Sequence, residues 1–227
     1  MTFPLRRFTL DRLIADAGGQ ALPDDNLLDD HLRGLLDEMA DALGSLTTVR
    51  VNNGLVARAD FATTRVTYDP AYTANTPNTD DAPFRTACIL HELMHFSVEW
   101  QYTHPPAGSP LAAGLESVNY HYGAAAAYHY AAQGNTVRAN LQQIGALAAA
   151  DPSLNAAVRA HVAGRLTYGD ATPHVHYDTV LLDLLVYLRL KNLAASRTYR
   201  YISLLSEEAK DRRFNPAGGP VPAAPPP

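Results

Sequence analysis

The sequence predicts an α+β fold: a small antiparallel N-terminal sheet, then a mostly helical remainder with one motif-bearing helix at its centre. Three observations predict it. Short β-branched or alternating runs cluster between residues 47 and 69. Apolar residues recur at three-and-four spacing on either side of that cluster. A chain of 227 residues, 47% apolar and 18% charged, is long enough and apolar enough to bury one core. The expected organisation is a single domain over 1–214 followed by a Pro/Ala-rich disordered tail over 215–227.

The elements follow in order. Between Asp24 and Leu43 the residues Leu27, Leu28, Leu32, Leu35, Leu36, Met39 and Leu43 form an apolar stripe, with aspartates mostly on the other faces, which predicts an amphipathic acidic helix. Thr47–Val51, Leu55–Ala59 and Thr64–Asp69 read as strands, and Asn53-Gly54 is a hairpin signal, so the three make an antiparallel meander. Ala71–Asp80 is a polar loop. A helix then starts with Asp80 or Asp81 as cap and Pro83 in the first turn, where a missing N–H costs nothing, and runs to about Tyr102 before His104-Pro105-Pro106. Further helices are expected over Leu111–Ala132, Thr136–Ala150, Pro152–Ala163, Asp178–Ala195 and Tyr201–Arg212, with a turn region from Gly164 to Pro173.

Composition excludes several functions. The net charge of −5 and pI near 5.9 provide no field that attracts nucleic acid or anionic lipid. The 37 alanines and the 16 arginines against two lysines reflect one compositional bias, not a phosphate-binding signal. Cys88 is the single cysteine and has no disulfide partner in the chain. The first nineteen residues lack the apolar core of a secretion signal. The longest apolar run, Val180–Leu190, is broken by Asp183 and Arg189 and is shorter than the roughly 20 residues a bilayer needs. A cytoplasmic protein is expected, with delivery by a specialised secretion system the other route.

The chemistry is carried by His91-Glu92-Leu93-Met94-His95, the HExxH pattern. Four residues are just over one helical turn, so both imidazoles project from one face toward one metal ion, and Glu92 is placed to take a proton from water there. Zinc suits this donor set, with three protein ligands and a position left for water. Nine His and six Glu in 227 residues give an expected chance frequency of about 0.01 for the motif.

The order of strands followed by an HExxH helix resembles the zincin superfamily of zinc metallopeptidases over roughly Val49 to Ala132. That resemblance implies an extended peptide bound along the last strand before the helix, here Thr64–Asp69. The metzincin extension would need glycine and histidine where the chain has Val98 and Gln101. An aspzincin would need an aspartate, and none occurs between Asp81 and Asp151. Gluzincin-type peptidases place a glutamate ligand roughly twenty or more residues after the second histidine, which implies Glu116, at 116 − 95 = 21 residues. His104 and His121 stay open as alternatives, and Glu99 reads as a surface or supporting residue. The chain departs from the gluzincin pattern in having Asn119, Tyr120 and His121 where an acidic residue often follows the ligand.

An oxyanion donor is also required. Arg165 with Tyr168 resembles the pair of clostridial neurotoxin proteases, and His174, His176 and Tyr177 are a second group. The sequence thus points to a gluzincin-like zinc metallopeptidase acting on peptide or protein, with His91, His95 and Glu116 as Zn²⁺ ligands and Glu92 as the catalytic base. A zinc hydrolase of a non-peptide amide and an inactive zinc-binding module are the alternatives.

Overall fold

The computed structural model describes residues 3–42, 47–52, 56–60, 65–71, 82–103, 134–171 and 173–214. Among them are seven α-helices, one short 3₁₀ turn and three strands, so the fold is α+β and mostly helical. The expected helix over Leu111–Ala132 and the tail from Asn215 lie outside the described residues.

The sheet is preceded by two helices. Helix α1 (Phe3–Asp16) buries Leu10, Leu13 and Ile14, with Ala17 buried just beyond its end, a stripe that its interleaved arginines and aspartates hide in the sequence. Gly18, at φ +74°, closes it: the Gly18 N–H donates to Ala15 O at 3.0 Å and the Gly19 N–H to Ile14 O at 2.8 Å. That is a left-handed Schellman stop. A Cβ on Gly19 would lie 2.7 Å from Thr86 Oγ1, so this turn sits directly on the motif-bearing helix. Helix α2 (Asp30–Ala42) buries Leu32, Leu35, Leu36 and Met39, as its stripe predicts. It starts later than the expected Asp24, because Asp25–Leu27 form a 3₁₀ turn first.

Strands β1 (Thr47–Arg50), β2 (Ala57–Asp60) and β3 (Arg65–Tyr68) are ordered β1-β3-β2, not as a meander. β1 runs parallel to β3, with Thr48 opposite Val66, and β2 runs antiparallel to β3, with Ala59 opposite Val66. The sheet is therefore mixed, which corrects the antiparallel expectation. It also moves the expected substrate edge, because Arg65–Tyr68, within the expected Thr64–Asp69, is the central strand and, among the described residues, the edges are β1 and β2.

Helix α3 (Ala82–Thr103) carries the motif, with Pro83 in its first turn. It packs on β2 and β3 on one side and on α1, α2 and α6 on others. Thr86 Oγ1 donates to Gln20 O at 2.7 Å, which ties the start of α3 to the turn after α1.

The C-terminal helices are α4 (Gly134–Ala150), α5 (Ala156–Ala171), α6 (Pro173–Leu190) and α7 (Arg197–Phe214). Asn155 caps α5 by accepting the Val158 N–H at 3.0 Å. α5 continues through the expected turn at Gly164, where a Cβ would meet open space, because Val158, His161, Val162 and Leu166 keep one face buried. Helix α6 is buried at every position from Tyr177 to Leu188, as befits a helix packed on α2, α3, α4, α5 and α7. It stops at Leu190, short of the expected Ala195, because Asn192 adopts φ 59° and the Leu193 N–H turns back to Leu188 O at 2.9 Å. Among the described residues no helix is long and apolar enough to cross a membrane.

Candidate metal centre

α3 is apolar on most faces, so the motif histidines are carried into the interior with it. His91 and His95 are 3% and 4% exposed. Their rings lie on one face with centroids 5.0 Å apart and planes at 76°. Glu92 is one residue on, about 100° around the helix, and meets the sheet. Its Oε2 accepts the Ala59 N–H of β2 at 2.8 Å. Burial pushes the Glu92 carboxyl up to about 7, although the Ala59 N–H and the Arg165 charge pull the other way.

Asp183 of α6 is fully buried against the other side of the motif. Its Oδ2 lies 3.7 Å from His91 Nδ1, and Arg165 Nη2 donates to the same oxygen at 2.5 Å. His161 Nε2 is 3.5 Å from Oδ1. Burial alone would raise the Asp183 carboxyl, but the Arg165 charge and then the two imidazoles hold it well below the usual carboxylate range. Cys88, one turn before His91, accepts from Arg165 Nη2 at 3.0 Å. Its burial pushes the thiol up to about 12.

These positions revise the oxyanion expectations. Arg165 belongs to helix α5 instead of a loop and is committed to Asp183 and Cys88. Tyr177 is buried on α6 and its hydroxyl accepts Asn140 Nδ2 at 2.9 Å. Tyr168 lies on α5, and His174 and His176 lie in the first turn of α6, but their side chains are outside the described ones. Glu116, His104 and His121 lie outside the described residues, as does the side chain of Glu99.

Two imidazoles on one buried helix face, with a carboxylate beside the first, fit a zinc site as far as two of its ligands. Among the described residues no group of three or more His, Cys, Asp or Glu is placed to hold a metal. The implied third ligand, Glu116, is not among them. Sequence reading missed Asp183 and His161. The available signal was Asp183 itself, an acidic residue inside an otherwise apolar run. No protein-family model matches the chain, and neither does any curated protein or solved structure.

Proposed function

We propose that the chain is a zinc-dependent metallopeptidase of gluzincin-like, zincin type, with His91, His95 and Glu116 as metal ligands and Glu92 as general base. The observation that carries this reading is the division of one helix between two tasks. His91 and His95 share a buried face, while Glu92, between them in sequence, reaches the backbone of edge strand β2.

Zinc bound there would polarise a substrate carbonyl and acidify a water to a pKa of about 7. The chain's own residues do the rest. Glu92, with its carboxyl raised to about 7, is matched to accepting a proton at neutral pH and returning it to the leaving amine. The Ala59 N–H fixes one oxygen of that carboxylate at the sheet edge. A peptide pairing along β2 in extended form would pass Glu92 at Ala59, and its scissile bond would then lie near that point.

Metal analysis of the purified protein, with cleavage-site profiling on a peptide library, tests the reading. Glu92→Gln should lower hydrolysis by about 10²–10⁴-fold with zinc content unchanged; cleavage at the wild-type rate would overturn the mechanism. Glu116→Ala should leave zinc substoichiometric, and full occupancy would remove Glu116 from the site.

A further inference from the structure

Behind the motif face lies a buried polar cluster to which the steps described above assign no role. Asp183 is 0% exposed on the most apolar stretch of the chain. Three helices converge on its carboxylate: Arg165 and His161 from α5, His91 from α3, and Asp183 itself from α6. Packing fixes the surroundings. His161 stacks on Tyr187 at 3.7 Å between centroids and meets Phe84 edge-on, while the Arg165 guanidinium lies over Phe84 at 5.3 Å.

Stability is a poor explanation for such a cluster. Burying each ion carries a desolvation penalty, and apolar side chains of the same volume commonly do as well. The carboxylate is better explained by what it faces. A neutral imidazole carries one proton, and the partner of one ring nitrogen decides which nitrogen has it. Arg165 Nη2 donates to Asp183 Oδ2 at 2.5 Å, a guanidinium–carboxylate contact that leaves the Asp183 oxygens as acceptors. A nitrogen facing an ionised carboxylate is favoured as the protonated one, and on His91 that nitrogen is Nδ1.

We propose that Asp183 is a positioning residue for the metal centre, holding His91 as the Nδ1–H tautomer so that the Nε2 lone pair is the one presented to a divalent metal. The proposal rests on the reading of His91 as a metal ligand. His91 Nδ1 lies 3.7 Å from Asp183 Oδ2, and the position of the proton on the ring is the property that tests the role.

Long-range ¹H–¹⁵N correlation spectra of the metal-free full chain, labelled at histidine, report the tautomer of each ring. His91 is identified by the signal lost in His91→Gln. His91 should be Nδ1–H in the wild type; the Nε2–H form there would overturn the proposal without any need for a variant in the cluster. The double variant Asp183→Leu/Arg165→Met removes the acceptor together with its counter-ion. It should abolish the Nδ1–H preference and weaken zinc binding, measured by competition with a chromophoric chelator, by about 10–100-fold. Unchanged zinc affinity in the folded double variant would also overturn the proposal. If the wild type takes up no zinc, the metal-site reading fails and the positioning role with it. If it takes up zinc but shows the wrong tautomer or no loss on substitution, only the role of Asp183 fails.

Discussion

Asp151 and Asp183 are both buried carboxylates among the C-terminal helices, 3% and 0% exposed, and they are satisfied in opposite ways. Asp151 takes its donors from neutral groups. Oδ1 accepts the Ser153 N–H at 3.1 Å and the Ser153 hydroxyl at 2.6 Å, and Oδ2 accepts the Thr198 N–H at 3.1 Å and the Thr198 hydroxyl at 3.0 Å. Thr198 lies in the first turn of α7, where free N–H groups and the helix dipole favour an anion. Asp183 is instead surrounded by a guanidinium and two imidazoles, at 2.5, 3.5 and 3.7 Å. Backbone and hydroxyl donors can be supplied wherever a chain must be pinned to a helix end, and Asp151 pins the α4–α5 turn to α7. Imidazoles are metal and proton chemistry, and one of those beside Asp183 belongs to the HExxH motif. On the reading proposed above, the difference separates a fastening from a site.

The largest expected effect follows from that contrast. Asp183→Ala leaves the largely covered Arg165, whose side chain is 21% exposed, without its counter-ion and should cost about 2–3 kcal/mol in denaturant unfolding. Asp183→Leu/Arg165→Met, which strands no charge, should recover most of that loss. Recovery of stability without recovery of zinc affinity is the outcome that marks the cluster as functional. A double variant as unstable as the single one would return Asp183 to the same class as Asp151.

Much of the fold is legible locally. Pro83 and the acidic residues before it mark the start of α3, and the leucine stripe marks α2. Pairing was not legible, because the partner of β1 is set by tertiary contact with β3 and not by the Asn53-Gly54 signal beside it. The length of α5 was hidden for a related reason. Gly164 breaks a helix only when nothing else holds it, and here the buried face on α6 outweighs its propensity. The site divides along the same line. His91, Glu92 and His95 announce themselves at fixed spacing on one helix, whereas Asp183 in sequence is only an interruption of an apolar run. Its meaning depends on α3, α5 and α6 meeting around it.

A smaller effect tests the other half of the contrast. Burial would raise the Asp151 carboxyl, yet the Ser153 and Thr198 hydrogen bonds bring it below its ordinary value of 3.8. A folded-state value below the unfolded one means that its contribution is present above about pH 4 and is lost as pH falls through the folded value. Asp151→Asn replaces one acceptor oxygen by a donor NH₂, so one of the two donor pairs, at Ser153 or Thr198, loses its partner. The cost at neutral pH should be about 2 kcal/mol, with zinc affinity and the His91 tautomer unchanged. Thermal unfolding followed from pH 6 to pH 2 should fall less steeply below pH 4 in Asp151→Asn than in the wild type. Parallel curves would show that the four neutral donors do not hold this carboxylate in its ionised form. A change in zinc affinity would show that the two aspartates are coupled through the helices they share, and the distinction between fastening and site would no longer hold.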